Sequence, residues 1–365
     1  MALSLNPGGT ERLVVELAAR LNRDLPTMIC CLDESGSWAR EVEERGVQVR
    51  SLGRAPGFSP ALGLAVARVA RQHGAGVIHA HHYSPFVYSC LARLRLPKTQ
   101  LVFTEHGRLA DTLPSRKRRA VNRVLAMFPR RVFTVSEDLK QHLVAEGFSP
   151  DAVSVIYNGI AVGPLPDAKA RSSTRRELGV QEDQFLIGTI GRLDPVKDFG
   201  TLIEATMRLP AATKPLLCLI GDGPERTRLE ALAGPQPVES RVRFLGHRDD
   251  ARKWLAACDV YVNSSVSEGI SLTILEGMAA GLPVVATRVG GTPEIVDESC
   301  GRLVPPRDPS ALSDALLVLA QRRDLRAELG GGARRCVEHR FTLERMVGEY
   351  REAYLSSVHQ ARHTN

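Results

Sequence analysis

Ser267-Glu268-Gly269-Ile270-Ser271-Leu272-Thr273-Ile274-Leu275-Glu276-Gly277-Met278-Ala279-Ala280-Gly281-Leu282-Pro283-Val284-Val285-Ala286 reads as a loop, a helix and a buried strand in succession. A strand over Asp259–Asn263 leads into Ser264, Ser265 and the Ser267-Glu268-Gly269 turn. The spacing predicts a helix from about Ser271 to Ala280, closed by Gly281. Glu268 sits in the loop and Glu276 near the middle of the helix, eight residues on, with a rise of about 1.5 Å per helical residue between them. Two carboxylates so spaced cannot share one proton and are better suited to grip two parts of a long ligand. The backbone N–H groups of the first helical turn, near Ile270 and Ser271, suit a phosphate between them.

Outward from this stretch, short apolar runs alternate with helical patterns. Phe185–Ile190, Leu216–Ile220, Val242–Leu245, Val260–Asn263, Val284–Thr287 and Arg302–Val304 read as strands. Helices fall at Gly200–Leu209, Pro224–Leu232, Asp249–Ala257, Leu272–Ala280, Pro293–Val296 and Pro309–Arg322, with a last one at Leu343–Val358. The first half repeats the alternation. Strands fall at Thr27–Leu32, Val47–Leu52, Val77–Ala80, Leu101–Glu105, Val132–Ser136 and Val153–Tyr157. The helices around them are one opened by Gly8-Gly9-Thr10-Glu11, then Ala61–Gln72, Pro85–Leu94, Arg116–Phe128 and Glu137–Glu146. Such βαβ alternation gives parallel sheets covered by helices on both faces. The 365 residues exceed one hydrophobic core, and the Gly/Pro-containing run Ala161–Asp167 reads as a linker. The expected organisation is an N-terminal Rossmann-like domain over 1–162, a second over 168–338, and a C-terminal helical segment over 339–365.

Composition excludes several classes. A content of 43% hydrophobic and 24% charged residues is that of a folded protein, not a disordered chain. No apolar run reaches the ~18 residues of a membrane helix, and Met1–Pro7 does not read as a signal peptide. The seven cysteines show no C-x-x-C, which disfavours a disulfide framework and a zinc site and fits a reducing cytoplasm. Between Arg108 and Arg131 eight basic residues face one acid, Asp111, so this segment alone carries the chain's net charge of +7. Because Val121, Val124, Leu125, Met127 and Phe128 are interleaved with them, Arg116–Arg131 reads as an amphipathic basic helix suited to an anionic membrane surface. No helix-turn-helix, zinc finger or aromatic stacking pattern accompanies it, so no nucleic-acid partner is expected.

Chemistry should lie on loops beyond the carboxyl ends of the strands. Gly8-Gly9 lets backbone approach a ligand before a helix. Glu105-His106-Gly107-Arg108 ends a strand. Arg192 and Lys197 share the loop after Phe185–Ile190, offering a planar fork and a point charge to a diphosphate. Gly221-Asp222-Gly223 follows the next strand but lacks the Gly-Lys-Ser/Thr of a Walker loop. His79-Ala80-His81-His82 has no carboxylate or cysteine cluster to complete a metal site.

Together Glu268-x7-Glu276, Arg192 with Lys197, Gly221-Asp222-Gly223, Glu105-His106-Gly107 and Gly8-Gly9-Thr10-Glu11 resemble the retaining GT-B glycosyltransferases of family 4, over nearly the whole chain from Gly8 to about Tyr354. The Glu-His-Gly-Arg form is similar to enzymes of bacterial surface-polysaccharide assembly. The resemblance implies a UDP- or GDP-sugar donor in a cleft between two domains and a glycan or lipid-linked acceptor, with no cofactor and no metal. It implies that Glu276 holds the ribose, that Arg192 and Lys197 neutralise the diphosphate, and that Glu268 with the backbone of Gly269, Ile270 and Ser271 holds the sugar. His106 would contact that sugar, Gly8 and Gly9 would let the first loop close over the phosphates, and Gly221 would line the donor site. The C-terminal helix would cross back onto the N-terminal domain. The implied enzyme is a metal-independent hexosyltransferase of the cytoplasm with a face for the inner surface of the plasma membrane. An epimerase of the same shape and a non-catalytic partner protein are the competing readings. One departure is visible. Only Met1–Leu5 stand where the family has a full first strand, so either that strand is clipped or the true start lies upstream.

Overall fold

The structure is a computed structural model, and it describes residues 1–108, 115–234, 241–248 and 250–363. Asp111 of the basic segment and Asp249, the expected first residue of a helix, lie outside the described residues. Contacts divide the chain into two units, Met1–Gly159 with Glu344–Asn365, and Ile160–Leu343.

The second unit holds six parallel strands: β7 (Phe185–Ile190), β8 (Pro215–Ile220), β9 (Val242–Gly246), β10 (Val260–Asn263), β11 (Val284–Thr287) and β12 (Gly301–Val304). Their order in the sheet is β12-β11-β10-β7-β8-β9. This is the doubly wound order in which β7 and β10 start the two halves, and the crevice beyond their carboxyl ends is where such sheets bind ligands. All six residues of β8 are buried, as a strand covered on both faces requires. The helix Leu272–Ala279 lies against β10, and Gly277 permits it: a Cβ there would stand 2.5 Å from the ring of Tyr261.

Two helices of this unit escape the sequence patterns. Ala168–Glu177 carries Arg175, fully buried, whose guanidinium donates to the carbonyls of Ala257, Gln181 and Gln184. Arg323–Arg340 runs straight through Gly330-Gly331-Gly332. A Cβ on Gly330 would lie 2.1 Å from the carbonyl oxygen of Gly281, and one on Gly332 1.9 Å from that of Ser299. These glycines, poor helix formers by about 1 kcal/mol each, let the helix press against neighbouring backbone.

The first unit contains β1 (Met28–Cys31) and β2 (Gln48–Ser51) in one parallel pair, and β3 (Val77–His81), β4 (Gln100–Glu105), β5 (Arg131–Thr134) and β6 (Val153–Val155) in a second parallel sheet. Met1–Leu3 joins the two. Ala2 N–H donates to the Cys30 carbonyl at 3.0 Å and its carbonyl accepts from Leu32 at 2.9 Å, while the Met1 carbonyl accepts from His81 at 3.0 Å. Residues 1–3 therefore form a short ribbon between β1 and β3. Helices differ from expectation mainly at their ends: Tyr83–Arg93 starts two residues early, Arg116–Leu125 stops before Phe128, and Leu343–His363 is longer. That last helix, in residues of the first unit, brings Tyr354 to the ring of His79 and Tyr350 to Thr104.

Candidate functional site

In the second unit the loops after β7 and β10 meet. The short turn Pro195–Lys197 is capped by Asp194, whose carboxylate accepts from Val196 N–H. Asp198 then takes a left-handed conformation, φ 45°, a strained choice outside glycine that here redirects the chain into the helix Phe199–Arg208. Two hydrogen bonds pin this loop to the one after β10: Ser264 Oγ donates to the Lys197 carbonyl at 2.8 Å, and Val266 N–H to the Val196 carbonyl at 2.8 Å. Lys197 Nζ is thereby delivered to Glu268 Oε1 at 2.5 Å. The same oxygen accepts from Ser265 Oγ at 2.7 Å and Asn263 Nδ2 at 3.2 Å. Burial alone would raise the Glu268 carboxyl; the Lys197 charge and these hydrogen bonds outweigh it and hold it below the usual carboxylate range. A third loop closes on Glu268, since Gly290 has φ 48° and a Cβ there would stand 1.8 Å from the Glu268 carbonyl oxygen.

The other expected residues are placed differently. Arg192 is on the loop of Lys197, but its side chain is 72% exposed and, among the described residues, its ion pair is a loose one, 3.8 Å from Asp194. Glu276 projects from the helix Leu272–Ala279 and accepts from Arg252 Nε at 3.1 Å. Ile270 and Ser271 are buried just before that helix, with Gly269 half-buried. Gly221 is explained by packing: a Cβ would lie 1.9 Å from the Gly191 carbonyl oxygen, and Gly223 is pressed likewise on Leu193. Asn263, Ser265, Gly290 and Arg252 escape a motif reading. Their sequence signals, a polar Asn-Ser-Ser run closing an apolar strand and a second Gly-Gly, are weak alone.

In the first unit His106 follows β4. Its backbone N–H donates to Glu105 Oε1 at 3.0 Å, which also meets His82 Nδ1 at 3.1 Å. His82 Nε2 in turn lies 3.1 Å from the hydroxyl of Thr10, in the first turn of the helix that Gly8 and Gly9 open. His106 Nε2 lies 2.9 Å from His81 Nδ1. Burial pushes His106 and His81 well below the ordinary histidine range, the neighbouring histidines adding to the effect. Among the described residues no group of three or more His, Cys, Asp or Glu is arranged to hold a metal ion.

A parallel doubly wound sheet with a largely buried cation–carboxylate pair at its switch point has the ligand-binding crevice of the Rossmann-like class, and comparison narrows it. Residues 184–322 match the family model "Glycosyl transferases group 1" and residues 7–163 "Glycosyltransferase Family 4". The D-inositol 3-phosphate glycosyltransferase of Saccharomonospora viridis is 32% identical over 76% of this chain and 70% of its own. The N-acetyl-alpha-D-glucosaminyl L-malate synthase of Bacillus anthracis is 27% identical over 82% and 79%. The crystal structure of Anabaena HepE in complex with UDP matches with TM-score 0.87 and 24% identity, over 97% and 98% of the two chains. The chain belongs to glycosyltransferase family 4 and has the two Rossmann-like units of a GT-B enzyme.

Proposed function

We propose that this protein transfers a hexosyl group from a UDP- or GDP-sugar to a glycan or lipid-linked acceptor, with retention of configuration and without a metal, in surface-polysaccharide biosynthesis. The observation that carries the reading is the Lys197–Glu268 pair beyond β7 and β10. The hard step is departure of a diphosphate as positive charge grows on the anomeric carbon, and a fixed ammonium at the leaving oxygens lowers that barrier. Lys197 supplies that cation, and Arg192, free to swing, joins it when phosphate binds. Glu276 accepts from the ribose hydroxyls with Arg252 as its orienting partner. Glu268 and the backbone of Gly269, Ile270 and Ser271 hold the sugar, His106 contacts it, and Gly8, Gly9 and Gly221 leave room for the donor. The acceptor attacks from the face the diphosphate leaves, the departing phosphate taking its proton, so neither glutamate acts as a nucleophile in the manner of a glycosidase. HepE, which shares the fold, was crystallised in complex with UDP, which supports a uridine donor.

The basic helix Arg116–Leu125 meets the anionic inner face of the membrane, where a lipid-linked acceptor is presented. Leu125 and Phe128 pack against the core of the first unit, whereas Val121, Val124 and Met127 are 46%, 58% and 80% exposed among the arginines. An outward apolar stripe in a cationic helix suits an interface better than bulk water. No helix among the described residues is long and apolar enough to cross a membrane.

A thermal-shift panel of UDP-, GDP- and ADP-sugars, followed by proton NMR of the product formed with EDTA present, tests the reading. Stabilisation by one nucleotide-sugar and an unchanged anomeric configuration are expected. No shift with any donor, or an inverted product, contradicts it.

A further inference from the structure

Four histidines, His79, His81, His82 and His106, crowd the carboxyl ends of β3 and β4, and only His106 has a part in the function proposed above. The ladder brings them together: β3 and β4 run in register with His79 opposite Val102 and His81 opposite Thr104. The backbone of His106 is held by Glu105, and Glu105 by His82, which sits at φ 71°, a conformation a residue with a side chain keeps only where its surroundings impose it.

The ring of His106 is held separately. His81 Nδ1 and His106 Nε2 are 2.9 Å apart, with ring planes 29° apart. His81 itself lies against His79, centroids 4.0 Å apart. His79 is fixed at both nitrogens, by the hydroxyl of Tyr354 at 2.5 Å and that of Thr104 at 2.8 Å. Thr104 reaches in turn to Tyr350 at 3.2 Å. Burial pushes His79, His81 and His106 well below the ordinary histidine range, which favours their neutral forms. Between two neutral imidazoles one nitrogen must donate and the other accept. His106 Nε2 is thus occupied, and its Nδ1 is buried with no partner among the described residues.

We propose that His81 is a positioning residue that fixes the ring of His106 and decides which of its nitrogens carries the proton. The proposal rests on the reading of His106 as the contact to the transferred sugar. If His81 Nδ1–H donates, His106 keeps its proton on Nδ1 and presents a donor to a sugar oxygen. If His106 Nε2–H donates, Nδ1 is a bare acceptor for a sugar hydroxyl. In either case one tautomer is selected before the sugar arrives, the preorganisation that a transition-state contact needs. His79 and Tyr354 act one layer further back, holding the ring on which His81 rests.

The test uses the full chain with the nucleotide-sugar that stabilises it most, and compares His81→Ala, His81→Asn and His106→Ala. The side-chain amide of Asn reaches the place of Nδ1, so it can restore the hydrogen bond that Ala removes. Release of nucleoside diphosphate should fall about tenfold or more in His81→Ala and recover to within about threefold in His81→Asn, with affinity for the free nucleoside diphosphate unchanged in both. Imidazole 15N shifts should show His106 in one neutral tautomer in the wild type and averaged over two in His81→Ala. Wild-type turnover in His81→Ala beside a crippled His106→Ala overturns the positioning role alone. Wild-type turnover in His106→Ala overturns the sugar contact on which it rests. A single His106 tautomer that persists in His81→Ala overturns the selection whatever the kinetics.

Discussion

Lys197 and Glu268, 71 residues apart in the chain, are joined at 2.5 Å beyond the ends of β7 and β10. Their side chains are 22% and 11% exposed, so the pair is largely out of water, where an uncompensated charge is costly. On the proposed reading, a diphosphate arriving at Lys197 would find the ammonium partly desolvated and aimed, with the counter-charge beside it.

That arrangement gives a split prediction for Glu268→Gln. The competing carboxylate is gone, so free nucleoside diphosphate should bind at least as tightly as to the wild type. Turnover of the nucleotide-sugar should fall about tenfold or more, because the sugar loses its holder. Calorimetric affinity and steady-state turnover measured together decide it, and a parallel loss of both would show that Glu268 only supports the fold.

Glu276 and Arg252 form the neighbouring pair at 3.1 Å. Glu276→Ala should weaken nucleotide binding by roughly tenfold to a hundredfold, the range of a lost charged hydrogen bond of about 1.5–3 kcal/mol. Arg252→Ala should weaken it less, since it removes only the partner that orients the carboxylate. Equal affinity in Glu276→Ala and wild type, measured by titration with the best nucleotide, would remove the ribose role.

The buried histidines make stability depend on pH. His79, His81 and His106 have folded-state values depressed by burial, so the unfolded chain binds protons that the folded one does not as pH falls below the ordinary histidine value of about 6.5. Stability attributable to them is complete above that value and is lost as pH falls through it. Glu268, also depressed, acts later, losing its contribution only as pH falls below the usual carboxylate value of about 4.3. Urea titrations of the wild type at about pH 7.5 and about pH 5.5 should show a lower midpoint at the acidic value, and a smaller difference in His81→Asn, where His79 and His106 still contribute. Identical wild-type midpoints would mean that the histidines are charged or exposed in the folded protein.

Membrane docking through Arg116–Leu125 predicts sedimentation with vesicles containing phosphatidylglycerol and release by salt. Arg119→Glu and Arg123→Glu should each cost on the order of 1 kcal/mol of binding, about fivefold, and Met127→Asp should lower binding to neutral and anionic vesicles alike. Equal sedimentation with pure phosphatidylcholine would point to another surface.

The sequence exposes the alternation of buried strands and helices because parallel strands covered on both faces are continuous apolar runs, as β8 is throughout. It exposes Glu268 and Glu276 because one helix separates them at fixed spacing. It hides what depends on distant neighbours. The helix Arg323–Arg340 is masked by Gly330-Gly331-Gly332, residues that look like a break until the carbonyls of Gly281 and Ser299 are seen where side chains would stand. Arg252 and Asn263 are ordinary residues in the sequence and become partners of Glu276 and Glu268 only through tertiary packing. His81 belongs to a histidine run with no cluster to complete a metal site, and nothing in the sequence shows that its ring faces another imidazole.

The glycine explanation is itself testable. Gly332→Ala places a methyl group 1.9 Å from the Ser299 carbonyl oxygen and should destabilise the protein by more than about 2 kcal/mol, despite alanine's better helix propensity. A urea midpoint equal to or above that of the wild type would contradict it.

The central claim is that Lys197 carries the leaving diphosphate. It is tested most directly by the rate of nucleoside diphosphate release from the best nucleotide-sugar in wild type and Lys197→Ala, with EDTA present and thermal unfolding confirming that the variant is folded. Release by the wild type and a loss on the order of 10²-fold or more in Lys197→Ala are expected. A folded Lys197→Ala that turns over at the wild-type rate would contradict it.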